Sequence, residues 1–317
     1  MIPLCLVTGF LGSGKTSLLR HLARRHPDRK LVYLVNEFSA VDVDGRLLEA
    51  DAGHVVAVPG GSIFCVCLVS EFIRILRDIP ERFGKTGGPV QGVVIEASGI
   101  ANPKVVGRML NETRLDEVYR IASIVAVVDP ATFPALLQTL PSVRAQVEAC
   151  GYALLNKTDL FSEEALCRCE HEIRRINPDA QIIRTQYGAA DLDPFGEFPA
   201  RTLDGEYAAC LDPNFARVSV RLTRAVDLDR LSKALQALGV GLYRAKGFLP
   251  TPYGMYYLDA TASDMQACPA DPPGEGADLA LIIRPDRVVE ARRLAAEIKA
   301  GVYDAPPGQT QKNSDRA

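Results

Sequence analysis

The sequence has no tryptophan, no long apolar run and no excess of charge of one sign among its 317 residues. The longest apolar runs, such as residues 121–128, have strand length, whereas a membrane-spanning helix needs about 20 residues. The 36 basic residues nearly balance the 39 acidic ones. Neither a nucleic acid nor a membrane is therefore indicated as a partner. The N-terminal residues lack the basic and apolar regions of a secretory leader, so we expect a cytoplasmic protein.

The chain has only eight cysteines, and they are scattered. This number is too small for a disulfide framework in a chain of this length. Two close pairs remain, Cys65 with Cys67 and Cys167 with Cys169. The second pair is followed by His171. On a helix, Cys167 and His171 share a face while Cys169 points away from Cys167. This cluster is therefore typical of a surface helix rather than of a metal site.

Short apolar runs alternate with amphipathic stretches through residues 1–187, where we expect the first domain. Continuous apolar strands separated by helices predict an α/β fold with a doubly wound, mostly parallel sheet covered on both faces. Residues 188–213 are rich in Asp, Gly and Pro and predict a linker. Residues 214–304 predict a small C-terminal α+β domain, and residues 305–317 a disordered tail. Two apolar runs around the polar turn 51–53 predict a β-hairpin.

A phosphate-binding loop follows the first apolar run and matches G-x-x-x-x-G-K-(S/T). Its glycines allow backbone N–H groups to surround phosphate oxygens, Lys15 supplies a mobile charge, and Thr16 offers a hydroxyl to Mg²⁺. Glu96 ends another apolar run and is the candidate acid for the metal, with Asp129 as the second choice. The loop reads Gly9-Phe10-Leu11-Gly12-Ser13-Gly14-Lys15-Thr16.

The turn Asn156-Lys157-Thr158-Asp159 also follows an apolar run and indicates the base. The Asp159 carboxylate can accept from N1–H and the exocyclic amine of guanine together, which adenine does not offer. The sequence therefore predicts GTP rather than ATP as the nucleotide.

Together these motifs resemble the CobW-like GTPases, metallochaperone relatives of UreG and HypB. The phosphate loop through Ser17 is similar to that of the family, and Asn36-Glu37-Phe38 to its first switch. Residues 96–103 resemble its second switch and residues 244–248 a segment of its C-terminal domain. The resemblance implies a P-loop fold, GTP binding, slow hydrolysis to GDP and a role in supplying metal to a client metalloprotein or in assembling a metallocofactor. Glu37 and Glu96 are the candidates for positioning the attacking water.

The cysteine motif departs from the family pattern G-G-C-x-C-C. This chain has Ser62 at the first cysteine position, followed by the displaced pair Cys65 and Cys67. Two thiolates can contribute ligands to Zn²⁺ or another transition metal but do not complete a tetrahedral site. A third ligand would come from His54, from Glu71 or from a second subunit, which leaves a homodimer open. Alternatively, both cysteines pack in the core beneath the switch.

Two other functions stay open at this point. A GTP-switched maturation chaperone would act on a cofactor-dependent client and bind no metal itself, and the missing cysteine favours it. A small-molecule kinase would use the same loop, but the guanine turn disfavours it. We expect GTP with Mg²⁺ to order the first switch, residues 36–44, and the second, residues 96–102, and hydrolysis to relax them.

Overall fold

The computed structural model describes residues 1–37, 53–59, 63–65, 68–85, 87–196, 203–208, 215–261, 265–270 and 277–305. The chain forms two compact units, one of residues Met1–Cys210 and one of Leu211–Ala317. The predicted Ser62, Cys67, the first switch beyond Glu37, the first half of the hairpin and the tail beyond residue 305 lie outside the described residues.

The first unit is built on a parallel sheet of seven described strands in the order β3-β2-β4-β1-β5-β6-β7. The strand β1 lies between β4 and β5, with Leu6 opposite Ile95 on one side and Ile124 on the other. The predicted doubly wound α/β fold is thereby confirmed. The strands are β1 (Ile2–Thr8), β2 (Leu31–Glu37), β3 (Val55–Pro59), β4 (Gly92–Glu96), β5 (Tyr119–Val128), β6 (Tyr152–Leu155) and β7 (Gln181–Arg184).

Helices connect these strands. Each helix has apolar residues along one side, and this side packs against the sheet. In the first helix, Leu18, Leu19 and Leu22 are buried and pack with Cys5 and Val7 of β1. The parallel arrangement brings the carboxyl ends of the strands to one edge of the sheet, where ligands bind in such folds. The helices are α1 (Lys15–Arg25), α2 (Val69–Gly84), α3 (Val105–Glu112), α4 (Phe133–Thr139), α5 (Pro141–Ala149) and α6 (Glu163–Ile176).

Two predictions for this unit differ from the structure. The described half of the predicted hairpin, β3, pairs in parallel with β2, so it is a strand of the main sheet. The stretch predicted as a linker starts inside the unit, where Ala190, Leu192 and Phe195 are buried in its core. A few apolar residues among Asp, Gly and Pro are enough to hold an irregular segment against a sheet, and they leave no periodic pattern.

The second unit has an antiparallel sheet of five described strands in the order β11-β10-β9-β12-β8. Alternate residues of β8, such as Val218 and Val220, form a core with Leu231 and Leu294 from two helices. The strands are β8 (Ala216–Leu222), β9 (Leu242–Thr251), β10 (Gly254–Ala260), β11 (Met265–Pro269) and β12 (Ala277–Ile283), and the helices are α7 (Leu228–Gln236) and α8 (Val288–Ala300). None of the described helices in either unit has the length and apolar character needed to cross a bilayer.

Candidate nucleotide site

The phosphate loop, residues 9–16, joins the end of β1 to the start of α1. Its glycines Gly9, Gly12 and Gly14 have φ values of 137°, 76° and 103°, in the region that favours glycine. A Cβ atom at Gly9 would lie 2.2 Å from the Val127 carbonyl oxygen, and one at Gly14 would lie 2.2 Å from the Asn156 Nδ2 atom. A side chain at Gly9 would therefore clash with β5, and a side chain at Gly14 would clash with the guanine turn.

Buried hydroxyl groups without partners surround this loop. Ser13 Oγ, Thr8 Oγ1 and Ser98 Oγ are buried and make no hydrogen bond with any residue that the structure describes. An unpaired buried hydroxyl is costly, and native proteins usually satisfy it. Ser13 belongs to the loop, Thr8 precedes it, and Ser98 lies in the second switch. Together with the glycine-lined loop, this donor set fits a bound phosphate with its metal ion.

The Lys15 side chain folds back over the loop instead of extending into solvent. It is 5% exposed. Its Nζ atom donates to the Gly9 carbonyl oxygen at 2.9 Å and to the Phe10 carbonyl oxygen at 3.2 Å. These carbonyl contacts hold the ammonium group inside the loop, where an incoming phosphate is expected.

Thr16 and Glu96 come together, as a magnesium site requires. The Thr16 Oγ1 atom donates to the two carboxylate oxygens of Glu96 at 3.4 and 3.5 Å. They lie close together because Glu96 is the last residue of β4, the phosphate loop follows β1, and these two strands are neighbours in the sheet. A hydroxyl and a carboxylate are oxygen ligands of the kind that Mg²⁺ takes. The pair fits a metal ion at the loop.

Asp129, the second choice for the metal, serves the base turn instead. Its Oδ2 atom accepts from Lys157 Nζ at 2.8 Å, and its Oδ1 atom accepts from the Ala131 amide at 2.9 Å. The cause is the strand order, since β5 pairs with β6 and so brings Asp129 beside the turn that follows β6. The contacts of Asp129 thus lie at the base turn, whereas Glu96 is the acid that contacts Thr16.

The guanine turn, residues 156–159, is held against the phosphate loop by Asn156. Asn156 Nδ2 donates to the Ser13 carbonyl oxygen at 2.8 Å, and Asn156 Oδ1 accepts from the Gly188 amide at 3.1 Å. The Asp159 side chain, by contrast, is exposed and holds no hydrogen bond from any residue that the structure describes. Its carboxylate is therefore available to a ligand.

Asn36 connects three segments at the edge of the sheet, and this role was not predicted from the sequence. Its Nδ2 atom donates to the Val58 carbonyl oxygen at 3.2 Å. Its Oδ1 atom accepts from the Ile63 amide at 3.1 Å and from the Ser98 amide at 3.2 Å. Asn36 thus bridges the segment that leads into Cys65 and the second switch that contains Ser98.

Cys65 is buried, and its carbonyl oxygen accepts from the amides of Leu68 and Val69, where α2 begins. Its sulfur is disulfide-bonded, whereas the other described cysteines are free. Of the predicted third ligands, Glu71 forms an ion pair with Arg74, which lowers the Glu71 pKa. His54 lies against the Phe83 ring. Neither is placed as a ligand.

Within the described ranges, no group of three or more His, Cys, Asp or Glu side chains is arranged to hold a metal ion. This includes the helix α6, where Cys169 is buried and Cys167 is exposed. Cys167 Sγ donates to Glu163 Oε1 at 3.3 Å. The interpretation of this cluster as part of a surface helix agrees with these positions.

Gln146 is a further residue whose contacts were not predicted. It is 2% exposed, and its Nε2 atom donates to the carbonyl oxygens of Gly99 and Ala101 at 3.1 and 3.3 Å. A helix of the core thereby holds the second switch. The sequence signal for this role is a glutamine among the apolar positions of a helix, because a polar side chain that becomes buried there needs hydrogen-bond partners.

The fold and the site together define a P-loop nucleotide-binding protein. A family model described as "CobW/HypB/UreG, nucleotide-binding domain" matches residues 3–184. The chain belongs to this family, and the resemblance inferred from the motifs is confirmed.

The names of several curated relatives refer to zinc. The chain is 31% identical over 246 residues to zinc-regulated GTPase metalloprotein activator 1 of Schizosaccharomyces pombe, covering 72% of this chain and 57% of that protein. It is 27% identical over 263 residues to the zinc chaperone YjiA of Escherichia coli, covering 78% of this chain and 81% of that protein. The chain thus spans little more than half of the yeast relative. The crystal structure of Zn(II)-bound YjiA GTPase is 20% identical, with a TM-score of 0.46 over 96% of this chain and 99% of that chain.

Proposed function

We propose that this protein binds GTP with Mg²⁺, hydrolyses it slowly to GDP and phosphate, and uses the difference between the two states to deliver zinc to a client metalloprotein. The family and the zinc chaperones among its relatives support this proposal. The observation that carries it is Asn36, whose side chain joins the second switch to the segment before Cys65. A change at the nucleotide thereby reaches the cysteine segment through one hydrogen-bonded residue.

In this proposal the phosphate loop binds the nucleotide through Gly9, Gly12, Ser13, Gly14, Lys15, Thr16 and Ser17. Thr16 and Glu96 hold Mg²⁺, which neutralises charge on the phosphates when it is bound. Asn156, Lys157 and Asp159 bind the guanine base. Water attacks the γ-phosphorus as the bond from that phosphorus to the leaving GDP oxygen breaks. Glu37, the last residue of β2, or Glu96 positions this water at the common edge of the sheet.

We assign zinc, the cargo, to the thiolates of Cys65 and Cys67. Because Cys65 is disulfide-bonded in the structure, zinc binding requires the reduced protein. Thiolates, not thiols, bind the metal, so the affinity should rise with pH as the thiols ionise. Ser62 replaces a soft ligand, and we expect weaker binding than in a relative with three cysteines. A second subunit remains a source of the missing ligand.

The proposal is tested by zinc titration of the reduced protein in the presence of GDP or of a non-hydrolysable GTP analogue. We expect tighter zinc binding with the GTP analogue. By linkage, zinc must then tighten the GTP analogue by the same factor. The double variant Cys65→Ser, Cys67→Ser should lose zinc binding but keep its affinity for GTP in metal-free buffer.

The matched control is the variant Cys167→Ser, Cys169→Ser, which removes a second pair of cysteines with the same spacing. It should bind zinc as the wild type does. If the wild type binds zinc no more tightly than the Cys65→Ser, Cys67→Ser variant in either nucleotide state, the delivery proposal is wrong. A GTP-switched chaperone that carries no metal would then replace it.

A further inference from the structure

Tyr187 combines two costly features beside the guanine turn. Its backbone has φ of 54°, in the left-handed region that bulky residues rarely adopt, and its side chain is 78% exposed. Strain of this kind persists only where the surroundings impose it, and it concentrates at ligand sites. Exposing most of an aromatic ring also forgoes the burial that normally stabilises it.

The surroundings of Tyr187 do impose its position. Ala189 N donates to the Gln186 carbonyl oxygen at 2.9 Å, which closes a turn with Tyr187 at its tip. The Thr185 hydroxyl group donates to the Ala189 carbonyl oxygen at 2.8 Å. The turn is thus fixed from within by two hydrogen bonds.

The same turn is fastened to both halves of the nucleotide site. The Thr158 amide of the guanine turn donates to the Thr185 carbonyl oxygen at 3.3 Å, and Gly188 N donates to Asn156 Oδ1. A Cβ atom at Gly188 would lie 2.5 Å from the Leu18 amide nitrogen, so the turn also lies against the first turn of α1. Tyr187 is therefore held one residue from a group that fixes Asn156.

We propose that the Tyr187 ring stacks on the face of the guanine base whose edge Asp159 recognises. This inference rests on the proposed GTP binding and adds a residue that none of the nucleotide motifs contains. The two contacts are complementary, because a carboxylate selects hydrogen-bonding groups at the edge of a base whereas an aromatic ring contacts its π-face. The stacked guanine base would cover the exposed ring of Tyr187. The left-handed backbone conformation of Tyr187 would then serve to hold this ring against the base.

The absence of tryptophan from the chain allows a direct test. The Tyr187→Trp variant contains a single indole, and guanine quenches indole emission on contact. Addition of GDP with Mg²⁺ should quench this emission by at least half. The matched control is Tyr253→Trp, which places the indole at an exposed tyrosine between β9 and β10. Its emission should not change.

Affinity provides a second readout. Tyr187→Ala should weaken GDP and a GTP analogue alike, by about tenfold, because both carry the same base. Tyr187→Phe should keep the wild-type affinity. Tyr187→Asn should lose affinity without losing thermal stability, since asparagine tolerates the left-handed conformation. A purely structural role would instead lower stability and affinity together.

The possible outcomes separate this inference from the proposed function. If calorimetry shows GDP binding to Tyr187→Trp while its emission stays constant, stacking is wrong and nucleotide binding stands. Wild-type affinity in Tyr187→Ala would also overturn stacking. If the wild-type protein binds no guanine nucleotide, the proposed function itself fails.

Discussion

Lys15 is the residue on which the proposed phosphate binding most directly depends. Its ammonium group is buried against two carbonyl oxygens of the loop, so its removal leaves that space without a mobile cation. We expect Lys15→Ala to weaken GTP binding by at least ~2 kcal/mol, since a charge-assisted contact to phosphate is lost in a partly buried place. Isothermal titration calorimetry with a GTP analogue measures this change.

The matched control for Lys15 is Lys30→Ala. Lys30 directly precedes β2 and so lies at the opposite edge of the parallel sheet from the phosphate loop. Its removal should leave GTP affinity unchanged. Near wild-type affinity in Lys15→Ala would show that the phosphates bind elsewhere.

At the scale of elements, α5 restrains the second switch through Gln146. Replacement of Gln146 by leucine keeps the approximate volume but removes both hydrogen bonds to the carbonyl groups of Gly99 and Ala101. We expect Gln146→Leu to destabilise the protein by about 1–3 kcal/mol, because buried carbonyl groups lose their donor. Hydrogen exchange of residues 96–103 should accelerate in mass-spectrometric measurements.

Gln138→Leu is the comparison for this change, because Gln138 is an exposed glutamine of the neighbouring helix α4. Hydrogen exchange of the second switch should be unaffected by it. Unaltered exchange of residues 96–103 in Gln146→Leu would mean that other contacts hold this segment.

The sequence predicted elements well where one signal sufficed, as for β1, α1 and the motifs that follow buried strands. It said less where the answer depended on contacts between segments that are distant in the sequence. Glu96 and Asp129 lie at the ends of β4 and β5, which both pair with β1, yet Glu96 contacts Thr16 whereas Asp129 contacts Lys157. The residue pattern alone did not indicate β9, because Lys246, Gly247 and Pro250 interrupt its apolar residues, and only the family resemblance pointed to this strand. The network of Asn36 joins residues distant in sequence and leaves no local pattern.

For the whole molecule, three buried acidic groups predict a loss of stability in alkali. Burial raises the pKa of Cys5 to about 12, against an ordinary value of 9.0, although the Ser123 side chain opposes this. Burial also raises the pKa of Tyr33 and of Tyr119. Above pH 9 the unfolded chain releases protons that the native protein retains, so stability falls as pH rises. We expect Cys5 alone to lower the free energy of unfolding by ~2 kcal/mol between pH 8 and pH 10.5, and the two tyrosines together to lower it by a further ~1–2 kcal/mol.

Urea unfolding followed by far-ultraviolet circular dichroism measures this decrease. Cys5→Ala should flatten the pH dependence even if it lowers stability at both pH values, whereas Cys268→Ala, which removes an exposed thiol, should leave it unchanged. A free energy of unfolding independent of pH over this interval would contradict the assignment of these groups.

The closure of the phosphate loop by distant parts of the chain also has a consequence during synthesis on the ribosome. The loop is complete in sequence by residue 16, but β5 supplies the Val127 wall and Asn156 supplies the contact to Ser13. Gly188 N then fixes Asn156. A nascent chain that has exposed only its first hundred residues therefore contains the motif without the site. In the proposed function, nucleotide capture would wait until Gly188 has left the exit tunnel, and GTP would stabilise the first unit only after its sheet has been assembled.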